Sequence, residues 1–134
     1  MTFNNMLHNM DHKVDPKKAL LDAVGDISGI DFSGYQIVVA LYLRPQETKG
    51  GMLVADQTRK EDEYQGKVGL IIDMAPLAFD GEEKAWKGNN PPAIGDWVIF
   101  HPMQGRNIQI NGHPCKLFES AQLSGRTQDP DAVI

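Results

Sequence analysis

The dipeptide Asn111-Gly112 lies between two short runs that read as strands, Asn107 to Ile110 and Pro114 to Phe118. A two-residue hairpin needs positive φ at both central positions. Asn tolerates that conformation and Gly adopts it freely, so this spacing is the strongest hairpin signal in the chain. The same theme recurs on both sides. Gln36 to Leu43 is rich in β-branched and apolar residues and stops at Arg44-Pro45. Gly66 to Met74 holds Val68, Leu70, Ile71 and Ile72, an apolar run of strand length. Trp97 to Phe100 is a compact strand entered through Ile94-Gly95-Asp96, and Gln122 to Thr127 is a weak, polar last strand. Short strands parted by Gly/Pro turns predict an all-β domain, a small barrel or a sandwich. Ala75 to Pro92 reads as a long loop, with turn signals at Asp80-Gly81, Gly88-Asn89-Asn90 and Pro91-Pro92, carrying Phe79 and Trp86.

Residues 1–34 do not share this pattern. Met1 to His12 is polar with scattered Met, His and Asn and reads as an extended or disordered arm. Asp15-Pro16 then supplies an N-cap and a proline at the first helical position. Apolar Ala19, Leu20, Ala23 and Val24 precede Gly25, so a helix of about two turns is expected over 16–24. So short a helix is unstable alone and must dock on the body or on a neighbour. Asp26 to Gly34 is turn-rich and reads as a linker. The expected organisation is an arm over 1–34, a β-domain over 35–128 and a tail over 129–134.

With 134 residues, one domain can bury a core without staples, and the net charge of −5 argues against nucleic acid, which needs a Lys/Arg footprint. The single cysteine, Cys115, cannot form an internal disulfide, which fits a reducing compartment. No secretory leader is recognisable, and no apolar run approaches the roughly 20 residues of a membrane span. A cytoplasmic location is the expectation.

One stretch breaks the rule that loops are polar. After Pro45 comes Glu47-Thr48-Lys49, a Gly50-Gly51 hinge, the apolar triplet Met52-Leu53-Val54, and the charged run Thr58 to Glu63. An apolar triplet between charged flanks reads either as an edge strand of the domain or as a tethered plug to be buried in a partner. The plug reading is preferred, and it belongs to a binding protein and not to an enzyme.

The order of these pieces resembles the GroES-like (chaperonin-10) family. The first strand Gln36 to Leu43 and its glutamate-containing turn come first. A Gly-Gly-plus-triplet loop over Gly50, Gly51, Met52, Leu53 and Val54 follows, then Gly66-Lys67-Val68, then Ile94 to Phe100, then a final hairpin over Ile108 to Phe118. With its added arm and longer central loop, the chain looks most like the GroES-like proteins of tailed bacteriophages. The resemblance implies an all-β, small irregular GroES-like β-barrel acting as an oligomer, with a loop that docks its triplet on a protein partner. Two roles follow. One is a structural protein of a phage shell, of capsid decoration or cement type, clamping neighbouring subunits through arm, loop and tail in the virion. The other is a co-chaperonin capping a host chaperonin in the infected cytoplasm. The family's closing strand is strongly apolar, whereas Gln122 to Thr127 is polar and interrupted by Gly125. The family's roof hairpin has no counterpart in Ala75 to Pro92.

Other residues invite sharper readings. His101, His113 and Cys115 match no zinc spacing and are expected to be structural, with Cys115 a buried small hydrophobe. Trp97 is expected in the core, Trp86 as an interface anchor, and Asp96 as the residue that fixes its turn. Arg59 to Glu63 reads as a solvated loop. Glu82-Glu83 and Asp129/Asp131 are carboxylate pairs without acid–base partners, so no catalytic residue, metal or cofactor is expected.

Overall fold

The computed structural model describes residues 15–42 and 67–133. The arm up to His12, the loop with Gly50, Gly51, Met52, Leu53 and Val54, and the run Thr58 to Glu63 lie outside the described residues. The described chain forms one helix, α1 (Pro16–Val24), and six strands: β1 (Gln36–Leu41), β2 (Val68–Met74), β3 (Trp97–Phe100), β4 (Arg106–Ile110), β5 (His113–Glu119) and β6 (Leu123–Thr127). The strands make one sheet in the order β4-β5-β1-β2-β3-β6, and every neighbouring pair is antiparallel. The domain is broadly all-β with one short helix.

Helix α1 forms where local signals place it. Asp15 Oδ2 accepts from the Lys18 backbone N–H at 3.3 Å, Pro16 opens the first turn, and Gly25 ends it at φ 75°. Leu20 and Val24, four residues apart, are its buried face, while Ala19 and Ala23 stay exposed. Burying these two side chains is worth roughly 1.5–3 kcal/mol each, enough to hold a helix too short to persist alone. The partner is the chain's own sheet, because Leu20 and Val24 pack with Val38, Ala40, Leu70, Trp97, Ile110 and Cys115.

β1 explains the continuous apolar run of its sequence. It is hydrogen-bonded to β2 on one side and β5 on the other, and both of its faces are covered. Val38 and Ala40 face the helix side. Ile37, Val39 and Leu41 face a second cluster with Ile71, Phe79, Val98, Phe100 and Phe118. On that second side the rings of Phe100 in β3 and Phe118 in β5 lie 4.8 Å apart, although β1 and β2 separate their strands. In a flat sheet, strands three places apart stand about 14 Å from one another. The sheet therefore curls around this cluster. It does not close into the expected barrel: among the described residues β4 and β6 remain its two edges.

β1 and β2 approach closely at Gly69. β1 carries a bulge between Val38 and Val39 where it pairs with β2. A Cβ at Gly69 would meet Val39 Cγ1 at 2.2 Å and the Ala40 carbonyl oxygen at 2.6 Å. Only glycine fits there.

The hairpin forms as its dipeptide requires. Ile110 pairs with His113 across a two-residue turn, with Asn111 at φ 50° and Gly112 at φ 81°. Asn111 also reaches out of the turn: its Nδ2 donates to Val24 O at 2.7 Å and to Asp26 O at 3.3 Å. It thus caps the carbonyl end of α1 and ties the helix to the hairpin.

Residues 75–92 contain no strand; they form turns and two single-turn 3-10 helices, Glu83–Ala85 and Lys87–Asn89. The polar strand β6 is half-exposed and, among the described residues, bonded to β3 alone. Beyond it the chain folds back on the domain, with Pro130 buried and Val133 packed on the helix-side cluster.

Candidate functional site

The segment holding Gly50 to Val54 joins β1 to β2, and these two strands are hydrogen-bonded neighbours in the middle of the sheet. Its two attachment points are firmly held. The Tyr42 backbone N–H donates to Val68 O at 3.1 Å, and the Phe100 N–H donates to Lys67 O at 2.9 Å. The Tyr42 ring meets Trp97 edge-on at 5.4 Å, and its hydroxyl donates to Asp131 Oδ1 at 2.6 Å. Asp131 is itself placed by a short turn in which its backbone N–H donates to Asp129 Oδ1 at 3.0 Å. Asp131 thus ties residues 129–133 to Tyr42, the last described residue before the 43–66 segment.

Trp86 lies on the other side of the sheet, half-buried. Its ring meets the buried Phe79 edge-on at 5.8 Å, and the Arg126 guanidinium sits over it at 5.5 Å. Arg126 Nη2 donates to Asn90 O at 2.7 Å, which fixes the stack. Below it, Ser120 Oγ donates to Glu82 Oε1 at 2.7 Å. Trp86, Arg126, Ser120 and Glu82, with Lys87 and Leu123, line an open cleft of about 510 Å3 between residues 82–87 and β6. Trp86 is the aromatic group at its wall, beside β6.

The remaining sequence candidates are dispersed. His101 Nδ1 accepts from Met103 N–H at 3.1 Å, His113 Nε2 lies 3.4 Å from Leu41 O, and the Cys115 thiol donates to His113 O at 3.5 Å. Among the described residues no group of three His, Cys, Asp or Glu side chains is arranged to hold a metal. Cys115 is buried, and its burial pushes the thiol up to about 11, so it is inert at neutral pH. Trp97 is in the core. Asp96 Oδ2 accepts from Ala93 N–H at 2.9 Å and shapes the turn into β3.

Lys116 has a role that the sequence reading missed. It is 3 % exposed, and its ammonium donates to Pro102 O and, at 2.9 Å, to Gln104 O, beside the Phe100 ring. Burial holds its pKa below the ordinary lysine value. The lysine thereby ties the 101–105 turn to β5, where Gly105, at φ 81°, lies against Phe118 so closely that a Cβ would come within 2.6 Å of the ring. A charged residue between Cys115 and Leu117-Phe118 was the available signal. The pairing of Arg126 with Trp86 and of Tyr42 with Asp131 left no comparable trace, because each spans a separation that only the fold closes.

No protein-family model matches the chain, and no curated protein matches its sequence. Among the described residues no helix is long and apolar enough to cross a membrane.

Proposed function

We propose that the chain is a non-enzymatic docking protein of GroES-like type, which presents the Gly50, Gly51, Met52, Leu53 and Val54 segment to a protein partner. The observation that carries this reading is the anchoring of the segment. It leaves and re-enters through adjacent central strands whose ends are held by Tyr42, Val68 and Phe100. A fixed root limits the entropy lost when a loop is captured, and burial of Met, Leu and Val at roughly 1.5–3 kcal/mol each supplies the affinity. Several loops on one oligomer would raise the effective concentration further. Among the described strands, a neighbour's strand would join at β4 or β6, since β1 is paired on both sides.

In the first reading the partner is a subunit of a bacteriophage shell, and the protein is a decoration or cement component. The polar β6, poorly suited to a ring-closing strand, supports it. In the second the partner is a host chaperonin. One observation favours that alternative: α1 and residues 130–133 are packed on their own domain, so they are not spare clamps for a neighbour.

The test is a pull-down with a host chaperonin and nucleotide, using wild type and Leu53→Asp. Retention of wild type and at least a ten-fold loss in the variant would establish the second reading and remove the virion-only role. Recovery of the chain in purified particles at capsid-like copy number, without chaperonin binding, would establish the first. Equal behaviour of the two proteins in both assays would refute docking through the triplet.

A further inference from the structure

The structure assigns a second docking site, independent of the 43–66 segment: a groove along the free edge of β6 that takes an acidic, extended peptide segment of a protein partner. β6 is bonded to β3 on one side and to no other strand among the described residues, so alternate backbone N–H and C=O groups along its outer edge face away from the sheet. Such an edge adds a strand when a partner supplies one. Here the edge has a built flank. Residues 82–87 stand beside it and leave the 510 Å3 cleft, with Trp86, Leu123 and Arg126 along its length.

The chemistry of that flank selects the partner. Arg126 and Lys87 place two cations in the cleft of a protein whose net charge is −5. Among the described residues the ion pair is Lys18–Asp22, and neither Arg126 nor Lys87 is neutralised by a described carboxylate. Glu82, the single acid in the lining, is turned to Ser120 Oγ. The guanidinium is also held in advance, stacked over Trp86 and hydrogen-bonded through Nη2 to Asn90 O. A planar guanidinium with donors to spare is suited to a bidentate carboxylate contact. Backbone pairing with β6 would give affinity, and a carboxylate on Arg126 would give register and selectivity. A second copy of this chain cannot supply β1 for the purpose, because β1 is already paired on both sides.

The test uses the full chain and two blocked heptapeptides, one alternating valine with glutamate and one alternating valine with glutamine. Amide hydrogen exchange reports the site and fluorescence anisotropy the affinity. The expected result is slowed exchange confined to residues 123–127, by ten-fold or more with the glutamate peptide, and at least ten-fold weaker binding of the glutamine peptide. Arg126→Gln should bring the two peptides to equal affinity. Lys87→Gln, at an exposed position, should weaken the acidic peptide two- to three-fold without disturbing the fold. The proposal is overturned by equal affinity for both peptides, by protection that lies elsewhere, or by an unchanged preference in Arg126→Gln. Protection of 123–127 that appears without peptide and grows with protein concentration would assign the edge to self-association and overturn it as well.

Discussion

Asn111 performs two tasks that substitution can separate. Its backbone at φ 50° makes the hairpin turn, and its side-chain amide caps α1 through Val24 O at 2.7 Å and Asp26 O at 3.3 Å. Asn111→Gly keeps the first task, since glycine adopts positive φ without strain, and deletes the second. The short bond to Val24 O is partly buried and is worth about 1–1.5 kcal/mol, and the longer, exposed bond adds about 0.5 kcal/mol or less. Extra freedom of glycine in the unfolded chain offsets any relief of backbone strain to within about 1 kcal/mol. A net loss of about 1–2 kcal/mol is expected. Asn111→Ala deletes the same bonds and keeps a Cβ in the left-handed region, adding about 1–2 kcal/mol. Urea unfolding gives the ordering, wild type above Asn111→Gly above Asn111→Ala. Hydrogen exchange gives the location, with the amides of residues 19–25 exchanging several-fold faster in Asn111→Gly while those of β4 and β5 change little. If Asn111→Gly unfolds within about 0.5 kcal/mol of wild type and its helix amides keep their protection, the cap contributes nothing to stability.

Other sites give further tests. Gly69→Ala should destabilise by about 3 kcal/mol or more, because the Ala40 carbonyl at 2.6 Å cannot move without breaking the β1–β2 ladder. Combining it with Val39→Ala should recover part of the loss, and simple additivity of the two changes would contradict the steric account. Tyr42→Phe removes the hydroxyl bonded to Asp131 and should cost about 1–2 kcal/mol. Its exchange signature is faster loss of protection in residues 129–133, and unchanged rates there would count against the tie. Cys115 is held up at about 11 against an ordinary 9.0, so its contribution to stability is complete below pH 9 and is lost as pH rises toward 11. The loss approaches about 3 kcal/mol when fully developed. Cys115→Ala should flatten that alkaline limb relative to wild type, and the native thiol should react with an alkylating reagent at pH 8 only as fast as the protein opens.

Several elements are legible from local chemistry. Asp15-Pro16 and Gly25 bracket α1, Asn111-Gly112 makes the hairpin, and Trp97 to Phe100 is a strand with the bounds its residues suggest. These signals act within a few residues of the atoms they place, so no knowledge of the rest of the chain is needed. The closed barrel is a different matter. Short strands and turns allow closed and open sheets alike, and the choice depends on where the edges finish. Here, among the described residues, β4 and β6 are not paired with each other. The candidate site divides along the same line. Trp86 stands out as a large aromatic in a loop, but nothing nearby in sequence marks Arg126, forty positions on, as its partner.

The amino-acid sequence by itself determined the β class, the positions of the turns, the short capped helix and the glycine-hinged triplet that invites a docking reading. Tertiary structure decided that α1 and residues 130–133 serve their own core, that the sheet curls without closing, and that Lys116 is buried against carbonyls. It also decided that Tyr42 meets Asp131, Arg126 meets Trp86, and Asn111 caps a helix far from it in the chain. The physical reason is one of range. Capping, backbone sterics and hydrophobic alternation act over a few residues and are written in local order. Register, curl and side-chain pairing depend on which distant strands share an edge, and that is settled only when the whole sheet has assembled.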